Sequence, residues 1–189
     1  MSLKDSFFGK YNFTEEDYKI TSGYNKTDIY QPKQYFLKEG EVSDKIAFVK
    51  SGLFRAYYIN DEADEISTDF FETGSFMMSG KSYNEQIPSE EYIIALLPSE
   101  ISYITFDEMN QLYAKVPAWS QICLDMAEMK SQVLADRAKE FQTLSATERY
   151  LRFCKDHPLV YQNATLGQIA SYLGVDIATL SRIRKKAYK

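Results

Sequence analysis

The chain has 189 residues, with 22 Lys and Arg against 27 Asp and Glu, so its formal net charge is -5 and its isoelectric point about 5.1. That balance speaks against a nucleic-acid binder, because such domains are usually basic. Two cysteines and one histidine exclude a disulfide framework, a structural zinc site and a four-cysteine iron–sulfur cluster. A single histidine also gives poor support to histidine-dependent nucleophilic catalysis. We therefore predict a non-enzymatic protein without a metal or other cofactor.

Membrane and secretion signals are missing from the sequence. No stretch approaches the roughly 20 apolar residues that cross a bilayer. The first five residues, Met-Ser-Leu-Lys-Asp, do not start the apolar core of a secretion signal. We expect a cytoplasmic protein that does not contact a membrane.

Residues 34 to 106 alternate short apolar runs with turns that contain Gly, Asn, Asp or Ser. The aromatic content of 15% favours β structure. Turn signals recurring roughly every 10–12 residues are typical of an all-β sandwich, jelly roll or barrel. We predict an α+β protein whose N-terminal part is a β-roll, a double-stranded β-helix of the jelly-roll type. Its strands are predicted at residues 34–37, 46–49, 53–59, 66–71, 92–97 and 101–106.

From about residue 107 the apolar spacing becomes helical, and no glycine occurs before Gly167. Side chains three or four residues apart then share one stripe of a long helix. The stripe consists of Trp119, Ile122, Cys123, Met126, Met129, Val133, Arg137, Phe141 and Leu144. It packs either against the helix's own β domain or along a second copy of the helix. We favour the second alternative, because the stripe runs for about seven turns, and we predict a homodimer.

Residues 145 to 189 form the third predicted part, after a sensor domain at 1–118 and a dimerisation helix at 119–144. Ser145 and Glu148 make a capping box that opens a helix. This helix must end before Pro158, because the residue preceding a proline disfavours helical backbone angles.

Residues 165 to 186 predict two short helices joined by a tight turn. Thr165 and Gln168 form a second capping box, Gly174 suits the left-handed position after a helix, and Asp176 can cap the next helix. The small Ala170 allows the helices to cross closely. The apolar residues placed to meet inside the crossing are Ile169, Leu173, Val175, Leu180 and Ile183. This is the helix-turn-helix pattern.

The outer face of the second helix is the predicted DNA-binding surface. Arg182 would read a base or clamp a phosphate, while the lysines neutralise phosphates and set affinity. Thr179 and Ser181 would bond base edges or backbone, and the small apolar residues would touch a thymine methyl. The assigned residues are Ile177, Ala178, Thr179, Ser181, Arg182, Arg184, Lys185 and Lys186. The alternative is a plain helical hairpin with a solvated basic end.

Residues 145–189 resemble the C-terminal part of the Crp/Fnr family of bacterial transcription regulators. The segments 147–151 and 179–183 carry the resemblance. The order β-roll, long helix, helix-turn-helix is the family's order and covers nearly the whole chain. The resemblance implies a cyclic-nucleotide-binding-like sensor, a dimerising helix and a reader of double-stranded DNA, with RNA polymerase as a further partner. In the family, an arginine in the second half of the recognition helix contacts a base or phosphate, and Arg182 matches it. Members that respond to cyclic AMP carry Arg and Glu early in that helix, where this chain has Ile177 and Ala178, so we expect a different DNA sequence.

Two further expectations follow from comparing this chain with the family pattern. Many relatives carry a β-wing after the recognition helix. The sequence stops at Lys189, so we expect no wing and fewer backbone contacts. The oxygen-sensing branch needs more than two cysteines for its cluster, and His157 beside Pro158 is better suited to a surface position than to a haem ligand.

The sensor pocket departs from the cyclic-nucleotide pattern. Binders in the family have a Gly-Glu-Leu-type turn that holds the ribose and an Arg-Ser/Thr-Ala segment whose Arg pairs with the phosphate. Here the matching segments are 74–76 and 89–91, so both the Glu and the Arg are missing and two carboxylates stand where a phosphate would lie. We predict that cyclic AMP does not bind and leave another small-molecule effector open. The candidate effector-binding residues are Gly74, Ser75, Phe76, Ser89 and Glu90.

Eight apolar side chains of the roll could line a cavity for such an effector, although residues of this kind more often form the core. They are Phe54, Tyr57, Phe71, Phe76, Met77, Met78, Tyr83 and Tyr92. The polar stretch 79–88, predicted to be extended, is where a ligand would be sought first.

Two other function classes remain as alternatives. A cupin-like β-barrel enzyme would need several histidines, and a ligand- or partner-binding module would keep the fold without reading DNA. The charge distribution favours the DNA reader. Residues 145–189 hold eight basic and three acidic residues, whereas residues 1–144 hold 14 basic and 24 acidic ones. The acidic part would repel DNA and leave contact to the tail.

Overall fold

A computed structural model describes Tyr11 and residues 13–187. The strands are β1 Lys26–Tyr30, β2 Tyr35–Leu37, β3 Lys45–Ser51, β4 Leu53–Ile59, β5 Glu65–Glu72, β6 Phe76–Met77, β7 Tyr92–Ala95 and β8 Ser99–Thr105. The helices are α1 Glu15–Ser22, α2 Gly80–Glu85, α3 Phe106–Lys115, α4 Pro117–Thr143, α5 Ala146–Asp156, α6 Pro158–Asn163, α7 Leu166–Tyr172 and α8 Ile177–Ala187.

The strands form two four-stranded sheets, ordered β1-β8-β3-β6 and β2-β7-β4-β5. Both sheets contribute side chains to one core, which is what closes the roll. The first sheet contributes Ala47, Val49, Met77 and Ile101, and the second contributes Leu37, Phe54, Ala56, Phe71, Ile93 and Ala95. The predicted α+β class, with an N-terminal β-roll, a long helix and C-terminal helices, is confirmed.

Three elements around the roll were not predicted or were predicted wrongly. Strands β1 and β6 escape a search for apolar runs, because β1 is mostly polar and its Ile29 is 71% exposed, while β6 has only two residues. The stretch 79–88 is not extended, since α2 occupies Gly80–Glu85. Burial of Ser82 and Tyr83 on the roll holds this turn of helix, which its polar sequence does not predict.

One compact unit combines the described residues up to Lys26 with Ile104–Gln142. Its core includes Met109, Leu112, Trp119 and Ile122, and the Trp119 indole donates to Met109 Sδ at 2.8 Å. The apolar stripe of α4 is buried at its start, in Trp119 and Ile122. It becomes exposed further along the helix, at Met129, Val133 and Phe141.

The second compact unit combines Thr27–Tyr103 with the residues from Thr143 onward. The roll and the C-terminal helices therefore belong to one unit. A second core joins them, in which Leu53 and Phe70 of the sheet lie with Tyr150, Phe153 and further side chains of the C-terminal helices. The further buried members are Val160, Ile169, Ala170, Leu173, Leu180 and Ile183, and Tyr172 and Val175 are among the partly buried ones. The predicted division at residues 118 and 144 into sensor, dimerisation helix and reader stays a prediction.

The C-terminal helices follow the predicted capping signals. Ser145 and Glu148 form the predicted capping box of α5, and α5 ends at Asp156. Pro158 then occupies the first turn of α6, where its missing N–H costs nothing. Helix α6 was not predicted, because six residues carry too little periodicity. Among the described residues, no helix is both long and apolar enough to span a bilayer.

Candidate nucleic-acid interface and sensor pocket

Helices α7 and α8 form a tight corner built from local backbone chemistry. Thr165 and Gln168 make the predicted capping box at the start of α7. Gly174 has φ of +65°, and the following Val175 N–H donates to the Ala170 carbonyl at 3.0 Å. A side chain at Gly174 would be strained in this left-handed conformation, which is the physical reason for glycine there.

The inner side of the corner is closely packed. Leu180 is fully buried, and Ile183, Ile169, Ala170 and Leu173 are each at most 8% exposed. The helices also approach at Gly167, where an added Cβ would lie 3.4 Å from Ile177 Cδ1. The predicted crossing of the two helices is therefore present.

The outer side of α8 carries the residues assigned to DNA. Ile177 is 57% exposed. Ala178, Arg182, Arg184, Lys185 and Lys186 are exposed, whereas Thr179 and Ser181 are half-buried. Eleven residues give α8 a length of about 16 Å, which fits along a major groove.

A hydrogen-bonded chain occupies the first turns of α8. Asp176 accepts from the Thr179 backbone N–H and from its hydroxyl, each at 2.7 Å. Arg182 Nη2 donates to the same Thr179 hydroxyl at 2.9 Å. Thr179 thus holds Arg182 against its own helix, a link that the sequence analysis missed. The Thr179 hydrogen bonds lower the pKa of Asp176, so the cap is complete at neutral pH and is lost only as the pH falls through that lowered pKa.

The basic end of α8 has a structural use besides any contact with a ligand. Arg184, Lys185 and Lys186 lie in the last turn, where positive charge complements the helix dipole. The Arg184 guanidinium also lies 5.6 Å from the centre of the Tyr161 ring. Arg184 therefore packs on α6, while Lys185 and Lys186 extend from the helix end.

The first predicted effector segment is a turn between β5 and β6. Gly74 has φ of +94°, and its N–H donates to the Val49 carbonyl at 2.8 Å. The Ser75 carbonyl accepts from the Val49 N–H at 2.9 Å. Phe76 is 38% exposed and packs against Phe48 with ring centres 5.2 Å apart. These contacts attach the turn to β3.

The second predicted segment belongs to a buried cluster of serine hydroxyls. Ser89 donates to Ser79 Oγ at 3.2 Å or to the Glu91 carbonyl at 3.0 Å, and Ser79 donates to the Glu91 carboxylate at 3.3 Å. Ser82 accepts from the Ser43 N–H at 2.9 Å. Ser89, Ser79, Ser82 and Ser43 are each at most 4% exposed. The hydroxyls in this segment are therefore bonded to one another rather than presented to a ligand.

The two carboxylates of the second segment differ in their surroundings. Glu90 is exposed and pairs with Lys81 of α2 at 3.5 Å. Glu91 is half-buried beside the serine cluster. At the position where the cyclic-nucleotide pattern has an arginine to bind the phosphate, the segment 89–91 has acidic side chains and no arginine.

The eight apolar side chains considered for a cavity do not share one face. Phe54, Phe71 and Met77 are buried in the core between the sheets. Tyr57 and Tyr92 instead stack on each other on the opposite face of the second sheet, with ring centres 5.0 Å apart and planes 13° apart. The core interpretation holds for the first three, and the proposal of a common lining is wrong, because successive residues of a strand point to opposite faces.

The chain's sulfur and histidine groups are used locally. Cys123 and Cys154 are free thiols, and burial raises the pKa of both. His157 Nδ1 lies 2.8 Å from the Glu72 carboxylate of β5. Within the described range, no three or more His, Cys, Asp and Glu side chains are grouped so that they could hold a metal ion.

Comparisons with known proteins bear on both regions. The family model described as "cyclic nucleotide-binding domain" matches residues 28–116. The anaerobic regulatory protein of Haemophilus influenzae is 26% identical over 166 residues, which cover 81% of this chain and 63% of that protein. The chain thus spans just under two thirds of that relative's length.

Solved structures share the fold at low sequence identity. A putative transcriptional regulator of the Crp/Fnr family from Eubacterium rectale has a TM-score of 0.75 at 14% identity, covering 98% of this chain and 87% of that one. FixK2 from Bradyrhizobium japonicum has a TM-score of 0.73 at 13% identity, covering 87% and 84%. These likenesses extend over the roll, the long helix and the C-terminal helices.

Proposed function

We propose that the chain is a non-enzymatic, homodimeric transcription regulator of the Crp/Fnr type that binds specific DNA sequences in the cytoplasm. The observation that carries the proposal is the α7–α8 corner. Its second helix buries Leu180 and Ile183 and exposes Ile177, Ala178 and Arg182 on the other side. In a dimer, two such helices would enter successive major grooves about 34–36 Å apart at a nearly palindromic site.

The roles proposed for the α8 residues follow their surroundings. Arg182 is exposed and borders Ala178 and Ser181 on the same face, which supports a role in base readout. Lys185 and Lys186 are mobile single charges suited to phosphate. Arg184 contributes less than the sequence predicts, because it lies over Tyr161.

Replacing Arg182 with alanine is expected to weaken binding to the preferred site by about 1–3 kcal/mol and leave binding to random DNA nearly unchanged. A binding-site selection with the full chain supplies the preferred site, and fluorescence anisotropy at fixed salt measures both affinities. Lys186→Ala is the matched control on the same helix. It should weaken both DNAs alike and reduce the salt slope by about one.

Two results of this experiment would count against the proposal. Equal losses on both DNAs for Arg182→Ala would remove the base-reading role. A wild-type chain without salt-dependent DNA binding would leave the ligand- or partner-binding module as the better interpretation.

The proposed dimer interface is the exposed apolar stripe of α4. Met129 is 62% exposed, Val133 59% and Phe141 41%, which is unusual for an apolar stripe at helical spacing in a water-facing helix. Pairing with a second copy would bury them as a coiled-coil-like seam.

Val133→Glu is expected to raise the dimer dissociation constant at least tenfold, because it would bury an unpaired carboxylate in the seam. Sedimentation equilibrium of the full chain measures this constant. Ser131→Glu adds the same charge on the opposite side of α4 and should leave the dimer intact. Dimers of equal strength in both variants would locate the interface elsewhere.

Cyclic AMP is not the proposed effector. The serine cluster bonds its own hydroxyls, and Glu91 stands beside it where a phosphate would need a positive partner. A different small molecule and contact with RNA polymerase stay open parts of the proposal.

The expected result with cyclic AMP at about 1 mM is an unchanged midpoint of thermal unfolding. A ligand with a dissociation constant of about 10 μM would stabilise the protein by about 2.7 kcal/mol at that concentration, which the measurement would detect. A rise of several degrees would therefore contradict this part of the proposal. Sodium phosphate at the same concentration serves as the control for anion effects.

A further inference from the structure

Strand β4 is buried on both faces, which a strand at the surface of a roll would not be. Its residues from Leu53 to Tyr57 are all at most 4% exposed. Phe54 and Ala56 face the core of the roll, whereas Leu53 belongs to the core shared with the C-terminal helices. The outer face of the β4–β5 pair is therefore a docking surface for α5 to α8.

Arg55 lies in the middle of this outer face, and its side chain is only 2% exposed. Its Nε donates to Ser67 Oγ at 2.8 Å, and its Nη1 bonds the Glu65 carboxylate. The guanidinium carbon also lies 4.4 Å from the centre of the Tyr57 ring. Burying a charged side chain costs free energy unless its N–H groups form hydrogen bonds. Packing alone therefore does not explain why an arginine stands at position 55.

Ser67 carries the arginine's hydrogen bond on to helix α7. Its hydroxyl donates to the Gln168 carbonyl at 3.0 Å, and Ser171 Oγ donates to Ser67 Oγ at 2.9 Å. The Ser67 backbone N–H donates to Ser171 Oγ at 3.1 Å. The hydroxyls of Ser67 and Ser171 thus each donate and accept hydrogen bonds. An unbroken series of hydrogen bonds connects Arg55 with α7.

A register shift in the sheet lies directly beside this link. Ala56 pairs with Asp69, but the next residue, Tyr57, pairs with Ser67. One residue of β5 is therefore extra, as in a β-bulge, which bends the strand and releases a backbone group from the ladder. The N–H of Ser67, which lies directly beside this extra residue, donates to Ser171 Oγ.

Two further contacts join β5 to the same helices. Phe70 packs against Tyr172 of α7 with ring centres 5.2 Å apart. Glu72 at the end of the strand lies 2.8 Å from His157 Nδ1. Ser67 and Phe70 thus contact α7 at two points along β5, while Glu72 contacts the junction between α5 and α6.

We infer that Arg55 is a positioning residue of the DNA-reading corner. Through Ser67 it sets the seat of α7 on β5, and through α7 it sets the direction of α8. Strand β5 is then the route by which a change in the roll reaches the reading helix. The positioning of a reading helix rests on the proposed function, whereas the seating of α7 by Arg55 does not.

Backbone hydrogen exchange of the full chain tests the seating without DNA. Arg55→Met removes the guanidinium and keeps the apolar length, and Ser171→Ala removes the other end of the link with a smaller change. Both variants should raise the amide exchange rates in α7 and α8 by about one to two orders of magnitude. Arg55→Met loses the hydrogen bond from the charged guanidinium to Ser67, and Ser171→Ala loses the buried hydrogen bond between the two serines. Exchange at Ala47 and Val49 in the core of the roll should stay as in the wild type. Arg55→Lys keeps the charge but cannot bond Ser67 and Glu65 in the same geometry. Its exchange rates in α7 and α8 should lie between those of the wild type and Arg55→Met.

Lys50→Met is the matched control, since Lys50 pairs with Glu100 on the exposed side of the roll. It should change exchange in neither helix. Unchanged exchange in α7 for both Arg55→Met and Ser171→Ala would overturn the inference. An equal rise at Ala47 and Val49 in both variants would overturn it too, because it would mark a general loss of stability.

DNA binding separates this inference from the proposed function. Arg55→Met should reduce the ratio of specific to random affinity at least fivefold, although Arg55 is buried away from any DNA. If the wild-type chain binds no DNA, the proposed function fails while the exchange results still decide the seating of α7. If DNA binding is present and the ratio is unchanged in Arg55→Met, the positioning role fails.

Discussion

Replacing Phe70 with alanine is expected to lower the free energy of unfolding by about 3–5 kcal/mol, the usual cost of truncating a buried phenylalanine. Phe70 is 7% exposed and lies on the outer face of β5. Its ring centre is 6.4 Å from that of Phe153 and 5.2 Å from that of Tyr172. The cavity would open where the sheet meets α5 and α7, so the truncation affects both parts of this unit at once.

Urea unfolding followed by circular dichroism measures the loss. Phe76→Ala is the matched control, because it removes the same ring from a position that is 38% exposed. It should cost less than half as much. Equal losses for the two variants would contradict the packing of the C-terminal helices on β5.

Replacing Gly52 with alanine is expected to cost about 2–6 kcal/mol, from a strained backbone together with overpacking. Gly52 has φ of +103°, which L side chains rarely adopt. An added Cβ would lie 2.0 Å from Ser99 Oγ and 2.6 Å from Ser99 Cα. Because the backbone of Ser99 is itself too close, rotation of its side chain cannot relieve the overlap.

The same hydroxyl has a structural task that the overlap would disturb. Ser99 Oγ accepts from the Leu53 N–H at 3.1 Å and donates to the Leu97 carbonyl at 2.8 Å. Displacing Ser99 would therefore leave the Leu53 N–H at the start of β4 and the Leu97 carbonyl without their partner.

Gly40→Ala separates the two causes of the loss. Gly40 has φ of +83°, but nothing lies within 4 Å of its added Cβ. It should show only the backbone cost of about 1–3 kcal/mol. Thermal unfolding of both variants gives the difference, and equal destabilisation would mean that the close approach to Ser99 is not present in solution.

Local signals predicted three of the four C-terminal helices, α5, α7 and α8. The capping boxes at Ser145 and Thr165 and the left-handed Gly174 are properties of four to six neighbouring residues. Their physical cause is the unpaired backbone groups at helix ends, which nearby side chains satisfy. The candidate reading face of α8 follows from the same local information, since helical spacing alone separates Leu180 and Ile183 from Arg182.

Local signals failed where burial depends on other parts of the chain. Helix α2 has a polar sequence that predicted an extended stretch, yet its Ser82 is bonded to Ser43 of a distant loop. Tyr57 and Phe54 both looked like lining of one cavity, but they lie on opposite faces of β4. A resemblance at the level of motifs likewise could not tell that the hydroxyls at Ser79 and Ser89 bond each other.

By itself, the sequence determined the order of β-roll, long helix and C-terminal helices, the capped starts of α5 and α7, the helix-turn-helix corner and the separation of an acidic front from a basic tail. All of these rest on spacing, capping and charge within short stretches. Only the tertiary structure decided that Arg55 is buried and that Ser67 forms a hydrogen bond with Ser171, 104 residues further along the chain. An arginine within an apolar run can face water or an interior, and the choice depends on what packs on the outer face of its strand. Here α7 packs there, and only the folded chain brings it to that face.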